Sequence, residues 1–308
     1  MNRKTMRPIA IAASDFHLRM DVPKCRDEQE FLESQWRKLS HISRRSATAQ
    51  VPILVAGDIF HRARPAGWAR LILSVYEIMK TAFRWVLIPG NHDLPNHSID
   101  SWKDSAFGVL AELLGEKVTV GEAELGQFFH LRLAGSAKVA LSHTYVQDPS
   151  EEAPPWAVYK SKHSAADDGE WDEKPDVVVT GDNHKSFSFR KDGILWINPG
   201  AMTRQNTGEI DLEPSYYVLA VDDKTETIRS TRERYPFDKS AVFVHHSDSL
   251  NELPGIKEFI EKIKADYQYG ISLEEMLRRN PPEDPLVRKV LMEALEEALS
   301  ESESSEDG

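Results

Sequence analysis

The chain is predicted to be an α/β protein in which two β-sheets pack face to face with helices outside. Three observations predict this. The first 93 residues alternate short apolar runs with amphipathic helical stretches. After Lys117 the sequence turns strand-rich, with turn residues such as Lys191-Asp192-Gly193 between the runs. Five short polar motifs each follow an apolar run directly, the position of a loop leaving a buried strand.

The elements follow in order. Pro8 to Ala13 is the first apolar run. It is too short for a signal-peptide core and leads straight into Asp15. A helix is expected near Glu28–Ser43, where Phe31, Leu32, Trp36, Leu39 and Ile42 recur with a 3.6-residue period. Val51 to Ala56 is the second run. A second helix near Trp68–Phe83 repeats the stripe with Leu71, Ile72, Val75, Tyr76 and Met79. Trp85 to Pro89 is the third run, and a third helix is expected over Ser105–Leu114. The strand-rich half then reads Val118–Val120, Phe128–Leu133, Lys138–Leu141, Val177–Thr180, Phe187–Arg190, Ile194–Ile197 and Tyr216–Val221. Asp148 to Pro175 interrupts it with prolines, acids and no periodicity, as a long loop would.

From about Asn251 to Leu299 helices are expected again. Ile256, Phe259, Ile260, Ile263 and Tyr267 form one apolar stripe. Ser272-Leu273-Glu274-Glu275 reads as a capping box, and Asp284-Pro285 as a cap with proline in the first turn. The Ser/Glu-rich end, 300–308, cannot bury anything and should be disordered. The expected organisation is a body over 1–224, a small cap or linker over 225–250, helices over 251–299 and an acidic tail over 300–308.

Composition narrows the setting. Apolar residues make up 40% of the 308, enough for a core. No stretch approaches the roughly 18–20 apolar residues of a membrane span. Cys25 is the single cysteine, which rules out an internal disulfide, a redox pair and a cysteine zinc site, and makes a cytoplasmic setting the natural expectation. The net charge is −12, but it is unevenly spread: residues 1–84 hold fifteen Lys/Arg against eight Asp/Glu, whereas 292–308 hold seven acids and no base. A basic N-terminal part is compatible with a polyanionic substrate.

The five motifs are Asp15-Phe16-His17, Gly57-Asp58, Gly90-Asn91-His92-Asp93, Ser142-His143 and Gly181-Asp182-Asn183-His184. Together they supply the carboxylates, imidazoles and carboxamide needed by two divalent metals, with an acid–base group to spare. Hard oxygens combined with imidazoles suit manganese, zinc or iron, and two such ions can clamp a phosphoryl group. Asp15 and His17, at i and i+2, would share a face if the strand continued outward. Asp58 is the candidate bridge, because Gly57 lets the backbone turn tightly beside the ions. Asn91 offers a neutral oxygen. His92, its neighbour, must point elsewhere and is free to protonate a leaving oxygen. Asp93 is expected to orient that imidazole. His143 and His184 complete the set. Lone histidines such as His41, His97, His130 and His163 read as surface or hydrogen-bonded residues. His245-His246 is set aside because adjacent strand residues face opposite ways.

At these residues the chain resembles the calcineurin-like metallophosphoesterase superfamily, over about residues 7–221. Within it, Gly57-Asp58-Ile59-Phe60-His61-Arg62-Ala63-Arg64-Pro65 and Ile197-Asn198-Pro199-Gly200-Ala201-Met202-Thr203-Arg204 resemble SbcD-type nucleases of double-strand-break repair. The resemblance implies an αββα sandwich and a two-metal DNA exo/endonuclease. Asp15, His17, Asp58 and His184 would surround one metal, and Asp58, Asn91, His143 and Asp182 the other. It further implies His92 as proton donor and His61 as a phosphate or DNA contact, with Arg62 and Arg64 joining it. One departure stands out. The superfamily usually carries Gly-His-x-His where this chain has Gly181-Asp182-Asn183-His184, a version similar to phage-type members. The added carboxylate favours manganese, then magnesium, over softer ions. The resemblance also implies that the C-terminal helices grip an SbcC-type ATPase, and a homodimer is a further expectation. Two rival readings remain: a small-molecule phosphodiesterase or phosphatase, which leaves the basic N-terminal part unexplained, and a metal-site scaffold that binds DNA or the ATPase without cutting.

Overall fold

The computed structural model describes residues 6–23, 25–26, 28–65, 67–123, 125–151, 171 and 173–236. The expected helices over 251–299, the acidic tail and most of the long loop lie outside these residues. In the first half β1 (Met6–Ala13), α1 (Glu28–Ala49), β2 (Ile53–Ala56), α2 (Trp68–Met79), β3 (Trp85–Ile88), α3 (Ala106–Leu114) and β4 (Val118–Val120) follow in order. Strands β1 to β4 run parallel, joined by the helices. The second half gives β5 (Phe129–Arg132), β6 (Lys138–Ser142), β7 (Val177–Thr180), β8 (Phe187–Lys191), β9 (Ile194–Asn198), β10 (Ser215–Asp222) and β11 (Ile228–Arg234).

Two sheets result, ordered β11-β10-β1-β2-β3-β4 and β5-β6-β7-β9-β8. The chain builds the first sheet from β1 to β4, crosses to the second, and returns through β10, which pairs antiparallel with β1. Strand alternation divides the core. On β2 and β3, Ile53, Val55, Trp85 and Leu87 pack towards Leu39, Ile42, Leu71, Val75 and Phe107 of the helices. Leu54, Ala56, Val86 and Ile88 point the other way, against Val139, Leu141, Val177, Val179, Leu195 and Ile197 of the second sheet. Burial on both faces explains why these strands read as continuous apolar runs. β1 escapes strict alternation through a register shift between Pro8 and Ala10.

The second sheet carries a third apolar cluster on its outer face. Among the described residues no helix lies on its outer face. Ala140, Val146, Val178, Phe187, Ile194 and Trp196 gather there with Phe128, Trp171 and Phe189. Helix α1 runs past its expected end at Ser43 through an Ala- and Arg-containing turn with good helix propensity. It stops where the Ser46 hydroxyl donates to the Val51 carbonyl at 2.6 Å. The first sheet also runs past residue 224. β11, inside the segment expected as cap or linker, pairs with β10 as the edge strand. No described helix is long and apolar enough to cross a membrane.

Candidate metal centre

All five motifs sit at the C-terminal ends of parallel strands: β1, β2 and β3 of one sheet and β6 and β7 of the other. That edge of an α/β sheet is where loops and their side chains converge. The loops are tied by backbone bonds, Asp15 N to Gly57 O at 3.1 Å, His17 N to Asp58 O at 3.0 Å and Gly181 N to Ser142 O at 3.2 Å. Asp15 and His17 do not converge by strand alternation. Both hold left-handed backbone, φ 50° and 46°, so the chain turns within the motif instead of continuing β1. Asp58 (φ 55°) and Asp182 (φ 71°) share that conformation. Such strain persists only where the surrounding structure fixes it, commonly at functional sites. Gly57, at φ +86°, has no room for a side chain, since a Cβ there would lie 2.2 Å from His143 Nδ1.

The donor atoms converge. Among the described residues, Asp15, His17 and His184 form one cluster, Asp15, Asp58 and His143 a second, and His17, His61 and His92 a third. His17 Nε2 lies 3.1 Å from His184 Nε2 and 3.6 Å from Asp58 Oδ2. His143 Nε2 lies 3.4 Å from the same Asp58 oxygen and 2.9 Å from Asn91 Oδ1. One Asp58 oxygen therefore stands between the two groups. Asp58 Oδ1 accepts the His92 backbone N–H at 3.0 Å.

The outer ring nitrogens are committed to partners. His143 Nδ1–H donates to the Ala56 carbonyl at 2.8 Å, and His184 Nδ1–H to Glu209 Oε1 at 2.6 Å. That leaves the Nε2 lone pairs turned inward, one facing the Asn91 oxygen and the other facing His17. Facing nitrogens and oxygen this close are reconciled either by a hydrogen on one of them or by a metal between them. Asp15 Oδ2 is buried with no hydrogen-bond partner, although Asp15 Oδ1 accepts the Asp182 N–H at 3.1 Å. The residues thus fit divalent metals.

The electrostatics agree. Burial, above all, pushes the Asp15 carboxyl up to about 6 and holds His17 well below its usual value. Burial also works against charge on Asp58, yet the surrounding histidines, His143 foremost with His17 and His92, together outweigh it and keep this carboxyl below the usual range. Against the penalty of burial, Asp58 raises His143 to about 10 and Glu209 helps raise His184 to about 9. A cavity that draws protons onto imidazoles in this way offers the same charge stabilisation to metal ions.

The remaining expected residues separate. His92 Nδ1–H donates to the His61 carbonyl at 2.7 Å, leaving Nε2 free, and its ring stacks on His61 at 5.4 Å between centroids. Asp93 does not orient His92. Its carboxylate accepts the backbone N–H groups of Ile59, Phe60 and Gly90 at 3.0, 2.9 and 3.0 Å, so it braces the two loops that carry Asp58, His61 and His92. The reason is local: the 91–93 turn points Asp93 back under its own N-cap. His61 lies beside His92 and His17, and burial and the Arg19 charge lower it to about 4. Arg62 is exposed and acts electrostatically on His61. Arg64 is tied to the Asp104 carbonyl at 3.2 Å. Asp182 stands outside the three donor clusters, with its charge acting on His143.

Two residues carried no sequence signal. Glu209, in the 207–209 turn, holds His184. Arg19 lies just past the first motif and donates to Gln205 Oε1 at 3.4 Å. Of the lone histidines, His41 meets Tyr216 Oη at 3.0 Å and His97 the Asn91 carbonyl at 3.1 Å, while His130 packs near Trp171. His163, His245 and His246 lie outside the described residues.

No curated protein sequence matches the chain. Among solved structures, the chain is similar to a novel archaeal phosphodiesterase at 16% identity, with 73% of this chain and 99% of that chain covered and a TM-score of 0.41. It is also similar to a single-mutant Vps29 from Entamoeba histolytica, at 15% identity, 74% and 99% coverage and a TM-score of 0.37. A predicted phosphoesterase from Streptococcus pneumoniae gives 14% identity, 73% and 98% coverage and a TM-score of 0.37. Residues 9–224, well over half of the chain, match the model of the calcineurin-like phosphoesterase superfamily domain, and the chain belongs to that superfamily.

Proposed function

We propose that this protein hydrolyses phosphodiester bonds in DNA with two divalent metals, manganese being the expected ion. The observation that carries the reading is the inward convergence of the Nε2 atoms of His17, His143 and His184 on Asp15, Asp58 and Asn91, with the free Nε2 of His92 close by. Asp15, His17, Asp58 and His184 would hold one ion. Asp58, Asn91 and His143 would hold the other, with Asp182 as the expected further ligand. The metals supply charge neutralisation at a phosphoryl group and acidify water.

The chain's own groups do the rest. His92, protonated on both nitrogens, keeps one proton on the His61 carbonyl and offers the other from Nε2 to the leaving oxygen. The neutral ring that remains is the tautomer the His61 carbonyl already stabilises. Asp93 keeps the two loops in register by gathering three N–H groups. His61, Arg19 and Arg62 lie together at the site and supply contacts for phosphate oxygens. The charges of Arg19, which is paired with Asp21, and of Arg62, with the basic balance of residues 1–84, favour a polyanionic strand over a small ester, while His61 contributes as a neutral ring. A partnership with an SbcC-type ATPase through residues 251–299 belongs to the same proposal and rests on the resemblance alone.

The deciding experiment incubates manganese-loaded protein with linear duplex and single-stranded DNA, and in parallel with bis-p-nitrophenyl phosphate. Cleavage of DNA supports the proposal. Hydrolysis of the small diester alone favours the small-molecule reading. Metal binding without either reaction favours the non-cutting scaffold.

A further inference from the structure

We infer that Glu209 is a positioning residue that makes the two metal positions unequal, giving the one built on His184 the higher affinity. The inference rests on the metal centre of the proposed function and not on its DNA substrate. The two outer histidines are alike in presenting Nε2 inward, but they are backed differently. His143 Nδ1–H leans on a neutral backbone carbonyl, Ala56 O at 2.8 Å. His184 Nδ1–H leans on a carboxylate, Glu209 Oε1 at 2.6 Å. A carboxylate behind an imidazole fixes its tautomer and raises its basicity as a ligand, whereas a carbonyl supplies the orientation with less charge.

Glu209 is also well held itself. It is 7% exposed, its Oε1 accepts from Asn206 Nδ2 at 2.9 Å, and its Oε2 accepts the Gln205 N–H. The segment leading to it is bonded to the His184 backbone, Ala201 N to His184 O at 3.0 Å, and is further pinned by contacts that do not involve the His184 side chain. Met202 N donates to Asp15 O at 3.0 Å, Lys38 Nζ to Met202 O at 3.0 Å, and Arg26 to the Arg204 carbonyl at 2.9 Å. The carboxylate is therefore presented to His184 by a scaffold that does not depend on the pair. The same scaffold bonds to the Asp15 carbonyl, and since Asp15 belongs to both the His184 and the His143 clusters, the asymmetry rests on His184 alone.

The test is a manganese titration of metal-free wild-type and Glu209→Gln protein by calorimetry, with zinc-loaded protein examined by histidine-selective 15N NMR. Glutamine keeps the shape and can still accept one N–H. In the wild type two unequal binding steps are expected. In Glu209→Gln the tighter step should weaken about 10- to 100-fold, the usual effect of losing such a partner, while the weaker step stays put. Zinc-loaded wild type should show His184 bound through Nε2 with a hydrogen-bonded proton on Nδ1. An unchanged tight step, or both steps weakening by the same factor, overturns the inference while leaving the metal centre intact. If Glu209→Gln does not fold, the wild-type spectrum decides, and a His184 bound through Nδ1 overturns it. Failure of the wild type to bind any metal would instead remove the reading beneath.

Discussion

Gly90→Ala tests the geometry of the centre most directly, because the backbone there gives no reason for a glycine. Gly90 has φ −98° and ψ 178°, an extended conformation open to any residue. The reason lies in what surrounds it. A Cβ on Gly90 would stand 2.1 Å from Asp58 Oδ1 and 2.5 Å from Asp58 N. A carbon–oxygen contact needs about 3.3 Å, so the Asp58 carboxylate or the 90–93 turn must move by about 1 Å. Neither is free to move alone. Asp58 Oδ1 accepts the His92 N–H, Asp58 Oδ2 lies 3.4 Å from His143 Nε2, and Asp93 grips the Gly90 N–H. Overpacking of this kind costs about 1–3 kcal/mol of stability, and a displacement near 1 Å at reacting groups can lower turnover about 100-fold. Urea denaturation and manganese-dependent hydrolysis of bis-p-nitrophenyl phosphate measure the two effects. Gly126→Ala is the control. Gly126 sits at φ +84° with no heavy atom near its missing Cβ, so alanine there should cost about 1 kcal/mol in backbone strain and leave turnover unchanged. A Gly90→Ala protein with wild-type turnover and metal affinity would refute the placement of Asp58 against the 90–93 turn.

Three further outcomes follow from the same geometry. Asp93→Ala leaves three buried N–H groups without an acceptor, at about 1–3 kcal/mol each, so the urea midpoint should fall by the equivalent of about 3 kcal/mol or more; loss of turnover at unchanged stability would restore a direct role for Asp93 beside His92. His92→Asn should lower turnover about 100-fold, the scale of general acid catalysis, while elemental analysis finds both metals retained; loss of metal together with activity would make His92 a ligand. Asp182→Ala should weaken one manganese step and leave the other nearly intact, and a metal titration identical to wild type would place Asp182 outside the coordination shell.

What the sequence could reveal was set by how locally each feature is determined. Runs such as Ile53–Ala56 and Val177–Val179 are buried on both faces, so every residue is apolar and the strand is written in full. The polar motifs that follow are legible because the sheet edge accepts whatever chemistry leaves it, and their order along the chain survives folding. β11 was hidden for the opposite reason. Its residues, Ile228 to Arg234, form an edge strand whose side chains are mostly charged or hydroxylated, and Ile228 is its one deeply buried residue. Asp93 was misread because adjacency in sequence suggested adjacency in function, while the 91–93 turn rotates it away from its neighbour and under the loop of Ile59 and Phe60. Glu209 was hidden by distance along the chain. It lies 25 residues from the histidine it holds, inside a turn with no periodicity, so nothing in its neighbours distinguishes it from a solvated glutamate. Ligands that touch an ion leave short motifs at strand ends. The groups that fix those ligands come from wherever the fold brings a carboxylate or a carbonyl, and at His143 that partner is the backbone of Ala56, which no side-chain pattern could record.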